Sequence, residues 1–153
     1  MRSVLVLMVV CALYGGYHWW QDRDPVSAAA ASENGFVPVE MPDGAARNAV
    51  LVLAPRNCPS EQARRTEALV GDLERAGIPV VRGDSFFFDV DNPTGERVAG
   101  MRRTMAVFKQ GAPAVYLNGM AMSNPTSAQA IAEYRATRRG HWAGAGARAE
   151  VAE

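Results

Sequence analysis

The chain has 153 residues, of which 48% are hydrophobic, so it can form one domain of about 100 residues with additional segments. Its 16 basic residues balance its 16 acidic residues, and this net charge of zero argues against binding to nucleic acid or to an anionic membrane surface. The two histidines, His18 and His141, lie outside the patterned region, which removes a Cys–His pair, a Ser–His–Asp triad and a histidine-built metal site from the folded core.

Residues 1–20 contain one arginine followed by an apolar run, and two interpretations of this segment are open. Residues 4–14 have the length of a signal-peptide core, but the small residues at 28–31 that would suit cleavage lie far beyond them. An uncleaved membrane anchor is favoured by four residues that resemble an interfacial aromatic belt: Tyr14, Tyr17, Trp19 and Trp20. The positive charge before the segment then predicts that the body of the protein is exported to the periplasmic or extracytoplasmic side.

Residues 21–48 have no sustained hydrophobic period and are predicted to be a partly extended linker, because serine, alanine, glycine and proline punctuate them. Within this linker, residues 36–39 (Phe-Val-Pro-Val) can extend and dock on the domain. Pro38 argues against a central position in a sheet, since proline cannot donate a hydrogen bond to a neighbouring strand.

The first patterned element is residues 50–54, a short apolar run that predicts a buried strand. A polar turn that includes Arg56 then leads to Cys58 and Pro59, at the start of a helix predicted over residues 59–76. The other cysteine, Cys11, belongs to the N-terminal apolar segment, so the soluble part has a single thiol and no internal disulfide. Because a helix N-terminus favours a thiolate, Cys58 is the candidate reactive residue.

The predicted helix has an apolar stripe at i, i+3, i+4 and i+7: Thr66, Leu69, Val70 and Leu73. Gly77 is its predicted end. Residues 78–81 have an extended pattern. Residues 86–90 are predicted to be a strand of the central sheet, covered on both sides because both faces are apolar, and its three phenylalanines are assigned to the core.

Asp91 or Asn92 is predicted to cap a second helix over residues 93–109. The buried stripe of this helix is predicted at helical spacing: Val98, Met101, Met105 and Phe108.

Residues 114–122 are predicted to be a β-hairpin, in which Asn118 and Gly119 form a type I′ turn. Thr126 and Gln129 are spaced as a capping box, which opens a last helix over residues 126–138. Residues 139–153 have no period and are predicted to be a disordered tail.

This order of elements resembles the thioredoxin fold, and the glutaredoxins in particular, over residues 49–138. The resemblance is carried by the strand–Cys58-Pro59–helix unit, by Phe-Phe-Asp-Val-Asp at residues 87–91 and by Gly-Ala-Pro-Ala-Val-Tyr-Leu-Asn-Gly at residues 111–119. It implies an α/β domain, a thioredoxin-like three-layer sandwich with the order β-α-β-α-β-β-α.

The resemblance also implies a site. The first cysteine of the family's Cys-Pro-x-Cys motif corresponds to Cys58, and Glu61 stands where the second cysteine would be. The proline before the third strand corresponds to Pro113, which in the family is cis and lies against the thiol. The binding residues predicted around the thiol are Arg56, Pro59, Ala112 and Pro113. The family's Gly-Gly glutathione-binding turn is replaced by Met-Ser-Asn-Pro at residues 122–125, so no cofactor is predicted and glutathione is disfavoured.

Two functions from different classes remain open. One is a membrane-tethered monothiol oxidoreductase that acts on protein or small-molecule disulfides through Cys58, and an external thiol then releases the mixed disulfide. The helix N-terminus and Arg56 favour the thiolate, whereas Glu61 opposes it. The other is a non-enzymatic module that binds a partner in the groove beside Pro113 by extending a strand edge. In both hypotheses the partner is an unidentified protein or small-molecule thiol.

Overall fold

The computed structural model describes residues 10–14, 26, 29–55, 61–92 and 94–149, and for residues 139–149 it describes the backbone alone. Within these ranges there are five strands: β1 (Val37–Pro38), β2 (Val50–Leu53), β3 (Val80–Gly83), β4 (Ala114–Leu117) and β5 (Met120–Ser123). The longer helices of the same ranges are α1 (Glu61–Arg75), α2 (Gly95–Lys109) and α3 (Ser127–Ala149). Residues 10–14 are also helical.

The strands form one mixed sheet in the order β1-β5-β4-β2-β3. β2 and β3 are parallel neighbours, and α1 provides the crossover connection that such neighbours require. The other three pairs are antiparallel. β1 lies at an edge of the sheet, where Pro38 is tolerated, as predicted. The protein therefore belongs to the α/β class that the sequence predicts.

Helices cover both faces of this sheet. Successive residues of a strand point to opposite faces, and the neighbours Val52 and Leu53 illustrate the result. Val52 belongs to a buried cluster with Leu73 of α1 and Tyr134 of α3. Leu53 belongs to a second cluster, with Val107 of α2. Burial of each such aliphatic side chain contributes about 1.5–3 kcal/mol, so the two clusters hold the helices on the sheet.

α1 has the buried face that the sequence predicts. Its buried residues are the predicted four: Thr66, Leu69, Val70 and Leu73. The hydroxyl of Thr66 donates to the carbonyl of Gln62 at 2.8 Å, so this polar side chain is satisfied within the apolar stripe. Gly77, with φ of 71°, follows the helix in the left-handed conformation that glycine adopts without strain.

The strand predicted over residues 86–90 is wrong. The strand that follows α1 is β3, which pairs with all of β2, from Val80 opposite Val50 to Gly83 opposite Leu53. That side of β2 is fully occupied, so no sheet position remains there for a later strand. Residues 85–90 leave the sheet and have no regular secondary structure.

The assignment of all three phenylalanines in this segment to the core is also wrong. Phe86 is partly buried and packs against Phe108 and Phe88, with ring centroids 5.2 and 5.5 Å apart. Phe87 is 70% exposed. Because these residues lie outside the sheet, their segment is not covered on both sides as a central strand would be.

The N-cap of α2 differs from the prediction. Thr94 caps the helix, in place of Asp91 or Asn92, and its hydroxyl accepts a hydrogen bond from the N–H of Arg97 at 3.3 Å. The buried stripe differs as well. The buried residues of α2 are Gly100, Thr104 and Val107.

The backbone at Glu40 determines which face of α2 is buried. A methyl group on Gly100 would lie 3.0 Å from the nitrogen of Glu40, and the Thr104 hydroxyl donates to the Glu40 carbonyl at 2.5 Å. The Arg97 guanidinium also forms an ion pair with the Glu40 carboxylate, with 2.9 Å between its Nε and the carboxylate oxygen. Each buried residue of α2 therefore lies one position before a predicted one, namely Met101, Met105 or Phe108. Met105 is 45% exposed.

Replacing Gly100 with alanine is expected to destabilise the protein by about 1 kcal/mol, because crowding of the fixed Glu40 backbone outweighs the higher helix propensity of alanine. Gly71 in α1 is the matched control, since no atom lies within 4 Å of the position of an added methyl group. Gly71→Ala is expected to stabilise by up to about 1 kcal/mol. Urea unfolding of both variants measures the difference, and equal gains would contradict this account of α2.

The hairpin is confirmed. Asn118 (φ 46°) and Gly119 (φ 84°) both have the positive φ that a type I′ turn requires. The capping box is confirmed too, since the Thr126 N–H donates to the Gln129 side chain at 2.9 Å and the Gln129 N–H donates to the Thr126 hydroxyl at 3.2 Å.

The end of α3 differs from the sequence prediction. The sequence predicts a helix to residue 138 and a disordered tail over 139–153, whereas the helical backbone continues to Ala149. Four of residues 139–149 are alanine, a strong helix former, and the stretch contains no proline, although three glycines lower its helix propensity.

Residues 29–41, within the predicted linker, are fastened to the domain. Phe36 is fully buried in the cluster beneath α1 and α3. The side chains of Ser32 and Asn34 each donate to the carboxylate of Glu133 at 2.8 Å, and Glu133 is itself only 3% exposed. The predicted docking of residues 36–39 is thus confirmed.

The anchor or signal prediction for residues 1–20 falls mostly outside the described residues. Within the ranges that the structure describes, no helix combines the length and the apolar character needed to cross a bilayer.

Candidate functional site

Of the predicted site residues, Ala112 and Pro113 are described, whereas Arg56, Cys58 and Pro59 lie outside the described residues. The peptide bond between Ala112 and Pro113 is cis, which confirms what the resemblance implies for this position. Pro113 is buried and directly precedes β4.

The pairing of β2 with β4 brings the end of β2, which precedes the predicted thiol segment in the chain, and Pro113 to one end of the sheet. The strands are antiparallel, and their last pair joins Leu53 to Ala114. The chain that leaves β2 through Ala54 and Pro55 therefore starts beside the chain that enters β4 through Pro113. α1 begins at Glu61, six residues after Pro55.

A groove of about 390 Å³ lies beside Pro113. It runs between the first turns of α1 and the loop that connects β5 to α3. Besides Pro113, its described lining residues are Arg65, Ala68, Leu69, Asn124, Pro125, Thr126 and Ser127. The α1 wall thus combines the apolar Ala68 and Leu69 with the charged Arg65, and the other wall carries hydroxyl and amide groups.

The backbone hydrogen bonds around Pro113 are unevenly satisfied. The Pro113 carbonyl accepts a hydrogen bond from the Asn124 N–H at 2.8 Å, and the Gly111 carbonyl accepts one from the Ser123 hydroxyl at 3.0 Å. Ala112 lies between Gly111 and Pro113 in the chain. Its N–H and C=O make no hydrogen bond with another described residue. Ala112 is only partly buried, so these groups remain available to a ligand that adds an extended backbone.

Glu61, which stands at the position of the family's second cysteine, is held by cations of its own helix. Its carboxylate lies 3.7 Å from Arg64 and 3.5 Å from Arg65, and its side chain is 62% exposed. Exposed pairs at this spacing contribute only about 0.3–0.5 kcal/mol each. They nevertheless offset the negative charge at the start of α1, where an acidic residue also suits the helix dipole.

Among the described residues, the titratable groups whose pKa is shifted do not line this groove. Burial raises the pKa of Tyr116 well above its usual range, and its hydroxyl donates to the carbonyl of Thr104 at 2.9 Å beneath α2. A hydrogen bond from Arg82 lowers the pKa of Glu67 on the exposed side of α1. Among the described residues, no group of three or more histidine, cysteine or acidic side chains could hold a metal ion.

The sequence reasoning missed the second wall of the groove. Asn124, Thr126 and Ser127 line the groove, although the sequence analysis considers residues 122–125 only as a replacement for the glutathione-binding turn. A signal was present, because an Asn-Pro step directly before a capping box fixes where a helix begins. Arg65 lies outside the apolar stripe of α1, and periodicity alone does not distinguish a groove wall from a solvated helix face.

Fold and site together define an α/β protein with a mixed five-stranded sheet and a groove at the end of the sheet that holds a cis-proline. No protein-family model matches the chain, and no curated protein or solved structure matches it either.

Proposed function

We propose that the chain is a membrane-tethered, thioredoxin-fold, glutaredoxin-like protein that carries out monothiol–disulfide exchange through Cys58. The observation that carries the proposal is the pairing of Leu53 with Ala114, because it sets Pro113 beside the chain that leads from β2 towards α1. The order of elements from β2 to α3, which is β-α-β-α-β-β-α, supports the same fold. The apolar segment at residues 1–20 supports the tether.

The chemistry requires one thiol from the protein and a second thiol from outside. The Cys58 thiolate attacks one sulfur of a substrate disulfide, a mixed disulfide forms, and the other substrate sulfur leaves as a thiolate that takes up a proton. An external thiolate then attacks the substrate sulfur of the mixed disulfide. The bond to Cys58 breaks, Cys58 leaves as a thiolate, and the external thiol and that half of the substrate are joined in a new disulfide. Glu61 cannot perform this second step because it has no sulfur.

We expect the start of α1 and Arg56 to stabilise a thiolate at Cys58. Glu61 opposes them, but its ion pairs with Arg64 and Arg65 and its exposure to solvent weaken that opposition.

Alkylation of Cys58 as a function of pH tests this proposal. In the Cys11→Ser background, where Cys58 is the only cysteine of the chain, we expect the rate of reaction with iodoacetamide to rise with a midpoint below ~8.5, the value for free cysteine. Hydroxyethyl disulfide is expected to leave a mixed disulfide visible by mass spectrometry, and only an added thiol should reverse it. The double variant with Cys58→Ser controls for other reactive groups.

A midpoint at or above ~8.5 would contradict the oxidoreductase proposal. The second candidate function would then be preferred, in which the groove beside Pro113 binds an extended segment of a partner protein without chemistry. The observation that favours this candidate is the backbone of Ala112, directly before Pro113, which makes no hydrogen bond with another described residue. Strand addition supplies hydrogen bonds to such a backbone, and the groove accepts alternate side chains.

A further inference from the structure

A second and larger cavity, of about 690 Å³, lies at the opposite end of the sheet. It is formed by the loop over residues 41–48, by the hairpin turn and by α3 at Thr137. β2 begins directly after this loop and β4 ends at the hairpin turn, whereas Pro113 lies before β4. The cavity is therefore separate from the groove and does not depend on Cys58. Its volume is within the range of pockets that hold small molecules.

The described lining of this cavity contains one charged side chain, Arg47, and no carboxylate. Arg47 is exposed and makes no ion pair with a described residue. The acidic residues nearest to the cavity along the chain are engaged elsewhere. The Glu40 carboxylate pairs with Arg97, and the Asp43 carboxylate accepts a hydrogen bond from the N–H of Asp89. The Glu133 carboxylate accepts hydrogen bonds from Ser32 and Asn34. Within the described residues, the Arg47 guanidinium therefore has no ion-pair partner, and no carboxylate lines the cavity with it.

The rest of the lining is mainly apolar and adaptable. Met41 and Met120 contribute flexible thioether side chains, which adjust to the shape of an aliphatic ligand. The main polar contact in the lining is internal, since the Asn118 amide donates to the Thr137 hydroxyl at 3.0 Å. Arg47 is therefore the charged group of the described lining that can orient a polar head, and the amide side chain of Asn48 is a further polar group in this lining.

We propose that this cavity binds a small amphipathic carboxylate of the medium-chain fatty acid class. The carboxylate pairs with the Arg47 guanidinium, whose planar donors match its two oxygens. The aliphatic tail lies along Met41 and Met120, where burial of its surface supplies the remaining affinity.

Methyl NMR of the full-length chain tests the proposal, because two of its seven methionines line the cavity. With ¹³C-methyl-methionine labelling, octanoate is expected to shift Met41 and Met120 saturably and to leave Met101 and Met105 on α2 unchanged. Octylammonium and octanol, which have the same tail without the negative charge, are expected to bind at least about tenfold more weakly.

Variants of the cation separate a site from general partitioning. Arg47→Gln is expected to weaken octanoate binding by at least about tenfold, whereas Arg47→Lys keeps the charge and most of the binding. Arg102→Gln, on the exposed surface of α2, is the matched control and should bind as the unmodified chain does. The methyl group of Met122, which lies 3.5 Å from the position of an added Cβ on Gly35, reports whether each variant keeps its fold.

Three outcomes would overturn the proposal. The first is the absence of saturable shifts at Met41 and Met120. The second is equal binding of octanoate by the Arg47→Gln and Arg102→Gln variants. The third is an equal response to inorganic phosphate, since a site for any anion does not require the aliphatic tail.

Discussion

Replacing Leu73 with alanine is expected to lower the free energy of unfolding by about 2–5 kcal/mol. Leu73 has no solvent-exposed surface and belongs to the cluster that joins α1 and α3 to the sheet, together with Val52 and Tyr134. The shorter side chain loses the transfer free energy of the removed carbons and leaves a cavity. Because domains of this size are stable by about 5–15 kcal/mol in total, urea unfolding will resolve the loss.

Leu51→Ala is the matched control for this prediction. Leu51 is only partly buried, on the opposite face of the sheet, where it packs at the margin of the cluster beneath α2. The same chemical change should cost clearly less there, since less surface returns to water. Equal losses in the two variants would contradict the assignment of the loss to the complete burial of Leu73.

Replacing Phe36 with alanine is expected to cost about 3–5 kcal/mol, which is unusual for a residue of a predicted linker. Phe36 is fully buried, and its backbone N–H and C=O both bond to Ser32, at 3.1 and 2.7 Å. Loss of the ring should therefore loosen residues 29–41, which proteolysis measures, as well as destabilise the domain.

Phe87→Ala supplies the control, since the same change is made in a side chain that is 70% exposed. It is expected to change the free energy of unfolding by no more than about 0.5 kcal/mol. A Phe36 variant that unfolds at the same urea concentration as the Phe87 variant would show that residues 29–41 do not belong to the cooperative unit.

The parts of the fold that could be predicted are those specified by neighbouring residues. The stripe of α1 follows from helical spacing, the turn at Asn118 and Gly119 follows from their tolerance of positive φ, and the cap at Thr126 follows from its distance to Gln129. Each signal lies within a few residues of the structure that it specifies, so no distant contact was needed.

The parts that could not be predicted depend on distant segments. Residues 80–83 and 86–90 both have apolar patterns compatible with a strand, and the pairing with β2 decides between them. The buried face of α2 is set by Glu40, far away along the chain. At the candidate site, the cis bond before Pro113 came from the resemblance, whereas the wall at Asn124 required the packing of a loop against α1.

The short edge strand β1 has a consequence for the solubility of the domain. It pairs with β5 through Val37 and Pro38, so that β5 is not an open edge, and Pro38 gives the new edge a residue that cannot donate to another strand. At the far edge, β3 carries Arg82, a charged residue that discourages pairing with other chains. Residues 29–41 therefore protect the β5 side of the sheet against edge-to-edge association. A fragment that begins at residue 49, where the pattern of the folded domain begins, lacks β1 and loses that protection.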